Sequence, residues 1–170
     1  MRKLYTAAGE ALTAGAPGGP YWDAYPRPQL AREEWLNLNG DWELDWCGTR
    51  QTIRVPFCPE SLLSGVTSVP KIGTEMVYRR SFTVLESWRG RRVLLHFGAV
   101  MREAIVLVNK EELCRHDKGY LPFTVDVTGA LREGDNELTV AVTNDLDPRH
   151  PYGKQKLRRG GMWYTPCSGI

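Results

Sequence analysis

No stretch of this sequence approaches the roughly 20 apolar residues that cross a bilayer as a helix, so no membrane partner is expected. Charge of one sign is scarcely in excess. The 22 Lys and Arg against 20 Asp and Glu leave a net charge of +2, too weak a field to hold the chain on nucleic acid phosphates or an anionic surface. Cysteine is sparse: Cys47, Cys58, Cys114 and Cys167 stand far apart with no C-x-x-C pair. That spacing disfavours a zinc site and a dense disulfide framework, so no metal is expected and the thiols are expected to be reduced. At 170 residues the chain can build one domain with a core but is too short for a catalytic barrel of about 250 residues. A 3.6-residue apolar period is missing from every longer segment, and residues 29–35 are the best helical candidate. Residues 1–20 open with Arg2 and Lys3, but Glu10 interrupts an Ala-, Gly- and Thr-rich stretch that makes a poor signal-peptide core. A flexible leader and a cytoplasmic protein are therefore expected.

What the sequence does have is period-two alternation. Trp42, Leu44 and Trp46 alternate with Glu43 and Asp45 just after the turn signal Asn39-Gly40, and Ile53 and Val55 follow the same rule. Met76, Tyr78, Phe82 and Val84 share one side of a longer strand whose other side carries Arg79, Ser81 and Thr83; Arg80 is the exception on the apolar side. Val93, Leu95 and Phe97 make the next strand. Ala104, Val106 and Val108 follow, with Ile105 and Leu107 apolar on the opposite side, which predicts a strand buried on both faces. Asn109-Lys110 occupies a hairpin-turn position, residues 113–116 return, and Phe123, Val125 and Val127, then Leu138, Val140 and Val142, finish the series. Eight or so short strands with no room for crossover helices predict an all-β, antiparallel sandwich or barrel. The Pro-rich stretch 56–71 and the stretch 145–166 are left as long loops, a length that usually serves a function or a docking contact.

No catalytic constellation is visible. His96 lies inside a strand, where a satisfied structural imidazole is the expectation, and His116 precedes a turn that its side chain is expected to order. No Ser or Cys stands in a nucleophile elbow, and the strand carboxylates fall on the wet side of the alternation, so no acid and nucleophile pair of a glycosidase can be named. Aromatic residues are concentrated in loops instead: Tyr21, Trp22, Tyr25, Tyr120, Tyr152, Trp163 and Tyr164. Such rings stack on sugars or anchor interfaces, and equally pack under their own loops.

Seven segments together carry a family resemblance. Residues 35–42 (WLNLNGDW), 55–61 (VPFCPES), 77–82 (VYRRSF), 93–100 (VLLHFGAV), 106–109 with 116–123 (VLVN and HDKGYLPF), 136–140 (NELTV) and 163–170 (WYTPCSGI) resemble, in this order, the N-terminal sugar-binding domain of family 2 glycoside hydrolases, the β-galactosidase, β-glucuronidase and β-mannosidase group. The resemblance covers residues 21–170. It implies a jelly-roll, galactose-binding-like sandwich followed in the whole enzyme by an immunoglobulin-like domain and a (β/α)8 barrel that holds both catalytic carboxylates. No catalytic residue is expected in this chain, no cofactor is implied, and carbohydrate bound jointly with the barrel is the implied partner, in a homo-oligomer.

Three departures fall at turns and strand ends: Met101 where many relatives have Asp, Asn109-Lys110 for the commoner Asn-Gly, and Lys118 for one glycine of a His-x-Gly-Gly-Tyr loop. A fourth concerns the pocket. Where the well-known β-galactosidases and β-glucuronidases carry an Asp that reaches the sugar, this sequence has Trp163, which implies a subgroup with an aromatic residue facing substrate. Trp163 and Tyr164 are accordingly the expected substrate-binding residues. In the family the Ser-Gly-Ile segment leads into a final strand, so residues 21–170 are expected to stop one strand short. A free-standing carbohydrate-binding module and a structural or interaction sandwich remain the alternatives, separable by whether a barrel with paired Glu follows Ile170.

Overall fold

The computed structural model describes residues 9–10, 24–66, 70–156 and 161–170. The expected leader, residues 1–20, lies outside them apart from Gly9 and Glu10, as do Tyr21 and Trp22. Among the described residues eight strands form: β1 (Gly40–Trp46), β2 (Thr49–Val55), β3 (Glu75–Thr83), β4 (Leu94–Phe97), β5 (Glu103–Val108), β6 (Glu111–His116), β7 (Phe123–Asp126) and β8 (Asp135–Thr143). Every pairing between these strands is antiparallel. Six strands make one sheet in the order β2-β1-β3-β8-β5-β6, and β4 pairs with β7 in a second. The all-β reading is borne out.

Alternation sets which face of the large sheet is dry. In β8, Leu138, Val140 and Val142 are fully buried while Glu137, Thr139 and Ala141 turn away. Val140 stands directly between Tyr78 of β3 and Val106 of β5, and Val142 between Met76 and Ala104, so these side chains share one apolar layer. Each such side chain contributes about 1.5–3 kcal/mol when fully buried. A one-residue slip would turn the whole row to water, which fixes the register. Leu95, Phe97 and Val125 from the two-stranded sheet, with Val93 and Val127 flanking it, pack against this layer and close the core.

The strand pattern was legible, but its details differ at four places. The β1–β2 hairpin turns at Cys47-Gly48, both at positive φ (49° and 75°), as a two-residue hairpin turn requires; Gly40 of the Asn39-Gly40 signal is instead the first residue of β1, at φ 117°. Ile105 and Leu107 are half-buried rather than buried on both faces. Their face of the sheet is shared with Arg115 and Thr139, directly opposite them on β6 and β8, whose polar ends keep it wet. The helix expected at residues 29–35 is a single 3-10 turn, Pro28–Leu30, because Ala31 returns to extended backbone. Arg80, the exception on the apolar side, donates from Nη1 to the carbonyls of Asn39 (3.2 Å) and Asp41 (3.1 Å), beyond the last β1–β3 pair.

The Asn109-Lys110 turn forms as expected, both residues at positive φ without a glycine. The Asn109 side chain secures it, donating from Nδ2 to the Ala130 carbonyl (2.8 Å) and to Asn136 Oδ1 (2.7 Å) and accepting from the Glu137 N–H (3.1 Å). His116 orders its loop through Nε2 and the Lys118 carbonyl (2.9 Å) and stacks on Phe123. His96 bonds Thr124 Oγ1 at 2.8 Å. Both imidazoles are structural.

Candidate functional site

The two long loops converge over the inner face of the large sheet. Met101, just before β5, exchanges both backbone hydrogen bonds with Gly169 (2.8 and 3.0 Å), which lays the terminal segment beside the sandwich. A glycine is needed there: its φ is 93°, and a Cβ would overlap the Tyr78 hydroxyl and stand 3.4 Å from Pro59 of the first loop. Asn144, at the end of β8, donates from Nδ2 to the Cys167 carbonyl (3.2 Å) and to Ser168 Oγ (3.3 Å).

Within the terminal segment Gln155 acts as a hub. Its Nε2 donates to the Tyr152 carbonyl (2.7 Å) and the Tyr120 hydroxyl (3.2 Å), and its Oε1 accepts from the Cys167 N–H (2.7 Å). Backbone bonds from Tyr164 to Lys154 (3.0 Å) and from Lys156 to Tyr164 (3.1 Å) hold two stretches of the segment side by side. These contacts shape a pocket of about 490 Å³ walled by Tyr120, Tyr152, Gly153, Lys154, Gln155 and Tyr164, with Thr165 and Cys167 at its side. Gly153, at φ 67°, lets the Tyr120 hydroxyl close in, since a Cβ would sit 3.2 Å from it. Among the described residues, none lining the pocket carries a carboxylate.

Of the two expected substrate-binding residues, Tyr164 stands in the pocket wall and is 64% exposed. Trp163 does not line it; its ring lies under Lys156 Nζ, 4.1 Å from the centroid, and is 40% exposed. Of the pair, Tyr164 borders this pocket and Trp163 does not. Tyr120 and Tyr152 were legible only as loop aromatics, and Gln155 not at all, because a single polar residue in an unpatterned loop gives no periodic signal.

Beside the pocket, Arg102 is buried to 2% exposure with its guanidinium on Asp145 Oδ1 (2.6 Å), Glu103 Oε1 (3.0 Å) and His150 Nδ1 (3.2 Å). Burial pushes the Asp145 carboxyl up, but hydrogen bonds from Arg102 and from the Asp147 backbone outweigh it, and its pKa lies below the ordinary carboxylate value. On the other side, Cys58 and Glu60 of the first loop meet Cys167, their donor atoms within 4.8 Å of one another. Glu60 Oε2 accepts from the Ser168 N–H (3.1 Å). A hydrogen bond from the Cys167 thiol holds Cys58 below its usual pKa and pushes Cys167 up.

Residues 62–162 match the family described as the glycosyl hydrolase 2 galactose-binding domain-like domain. The chain belongs to this family. It is 38% identical over 71 residues to a β-glucuronidase of Paenibacillus borealis, an overlap of 41% of this chain and 12% of that protein. A β-galactosidase of Thermoanaerobacter pseudethanolicus is 40% identical over 68 residues, 40% of this chain and 9% of its own length. Among solved structures, the β-glucuronidase of an uncultured Clostridium sp. matches with a TM-score of 0.56 at 30% identity, covering 62% of this chain and 21% of that one. The Bifidobacterium dentium β-glucuronidase gives 0.54 at 31% identity over 62% of this chain and 19% of its own. This chain therefore covers about a tenth of the curated relatives' length and about a fifth of the structural ones. The family resemblance is borne out over residues 62–162, and the sheets are those of a galactose-binding-like sandwich.

Proposed function

We propose that this chain is the N-terminal sugar-binding domain of a family 2 glycoside hydrolase that cleaves β-linked glycosides with retention, and that the chain itself is not catalytic. The pocket carries this reading. Three tyrosines supply rings and hydroxyls, Lys154 and Gln155 add polar contacts, and no described lining residue offers a carboxylate to act as acid or nucleophile. That is a surface for holding a sugar rather than breaking its bond, which requires two carboxylates about 5–5.5 Å apart in a retaining enzyme. The β-glucuronidase and β-galactosidase relatives supply the substrate class. In the whole enzyme the paired carboxylates belong to a barrel, and Tyr164 and Trp163 face the sugar it holds. Assembly as a homo-oligomer belongs to the same proposal, resting on the family resemblance.

The test is kinetic. In the full-length enzyme, Tyr164→Ala and Trp163→Ala should raise KM or lower kcat on nitrophenyl β-glycosides by about 10-fold, as expected when a positioning contact is lost, with the melting temperature nearly unchanged. The 170-residue chain alone should show no turnover. Normal kinetics with a large loss of stability would make the two rings packing residues, and turnover by the chain abolished by changing one of its own Asp or Glu would end the non-catalytic reading.

A further inference from the structure

We propose that Cys58, Glu60 and Cys167 form a binding site for one soft divalent cation, zinc by its ligand chemistry, which staples the loop after β2 to the terminal segment. Sequence spacing argued against a zinc site because no two cysteines are close along the chain. The fold brings two of them together. Two sulfurs and a carboxylate oxygen lie within 4.8 Å of one another, and a tetrahedral zinc with Zn–S of about 2.3 Å and Zn–O of about 2.0–2.2 Å sets its ligand atoms roughly 3.5–3.8 Å apart. A closure of about an ångström therefore suffices, and it falls on loops rather than strands.

Three further observations support a cation. The Ser168 N–H holds Glu60 through Oε2, which leaves Oε1 for a metal with its orientation already fixed by an outer partner. The Tyr78 hydroxyl is fully buried and has no hydrogen-bond partner among the described residues, and it stands against Gly169, two residues from Cys167, where Pro59, between Cys58 and Glu60, also closes in. Three protein ligands leave a fourth position for a water, and such a water is the partner that hydroxyl lacks. Cys167 is exposed, which gives an entry path. Thiolate donors select zinc over magnesium or calcium, which take oxygen ligands. Binding would displace both thiol protons to solvent, with no redox change.

The reduced chain, titrated with Zn²⁺ against a chromophoric chelator, should take up one equivalent at submicromolar free metal, and Co²⁺ should give thiolate-to-metal charge-transfer bands. Cys58→Ser and Cys167→Ser should each weaken binding by about 100-fold and Glu60→Gln by about 10-fold, whereas Cys47→Ser with Cys114→Ser should leave it unchanged. Should a Cys variant fail to fold, the wild-type chain still decides: Zn²⁺ should protect Cys58 and Cys167 from alkylation while Cys47 and Cys114 stay reactive. No uptake at micromolar Zn²⁺, equal alkylation of all four thiols with and without metal, or a Cys58–Cys167 disulfide in the chain as isolated would each overturn the proposal.

Discussion

The inner layer of the large sheet and the terminal segment that lies over it are held by different physics. In the layer, Leu44, Tyr78, Val106 and Val140 are fully buried and contribute through removed apolar area, a force with no direction. In the segment, Gln155, Asn144, Glu60 and the Arg102–Asp145 pair act through side chains bonded to particular groups. Area tolerates small shifts. A hydrogen-bond latch does not, because a displaced donor leaves a half-buried group unsatisfied at a cost of about 1–3 kcal/mol.

The largest effect that would break this comparison is a core truncation. Leu44 is fully buried, opposite Tyr78 on β3, so Leu44→Ala should cost about 3 kcal/mol, within the range of cavity-forming Leu substitutions. Urea denaturation should show the whole chain shifting in one transition. A loss below about 1 kcal/mol would mean that the core collapses around the gap and is less closely packed than the burial implies.

The same contrast decides what could be read from the sequence. Burial on one face repeats every second residue, so β1, β3, β5 and β8 were legible from Trp42, Met76, Ala104 and Leu138 onward, and the family resemblance rested largely on those strands. Hidden instead were the contacts whose partners lie far apart in the chain. Gln155 meets Tyr120, Glu60 meets Ser168, and Cys58 meets Cys167; no period connects such residues. The Cys47-Gly48 turn was hidden for a local reason, since its first residue is an unusual choice for a left-handed backbone. Of the pocket, the aromatic character was legible. Its walls depended on the loop path, which is why Tyr164 lines it and Trp163 does not.

A smaller effect, confined to the segment, sharpens the comparison. Gly169→Ala places a Cβ against the Tyr78 hydroxyl and 3.1 Å from its Cζ, at a backbone φ of 93°. Strain of this kind costs about 1–3 kcal/mol, and undocking the segment is the cheaper response than distorting β3. Hydrogen exchange should therefore accelerate at the Met101 and Gly169 amides, which bond each other's carbonyls, while the Val140 amide keeps its protection. Equal loss at Val140 would show that segment and core unfold as one unit, and the distinction between them would fall.

The smallest effect concerns a polar latch in open water, where the same chemistry should matter least. The Asp126 carboxylate at the end of β7 accepts from Thr128 Oγ1 (2.6 Å) and from Arg92 Nε (2.7 Å). The Thr128 side-chain bond first, then Arg92, hold its pKa down at about 2. An unfolded Asp titrates near 3.9. Because the folded value is the lower one, the latch contributes fully above about pH 4 and loses its contribution as pH falls from about 4 to 2. The carboxylate is exposed, so water and salt screen it. Asp126→Asn keeps an oxygen for Thr128 but removes the negative charge that faces Arg92, and its melting temperature should fall slightly below that of the wild-type chain at pH 6. The gap should close by about pH 2 and shrink in high salt, as thermal melts across that range would record. A gap as large as that of Gly169→Ala, or one that widens in acid, would show that exposure does not weaken such latches, and that the difference between core and segment lies elsewhere than in their access to water.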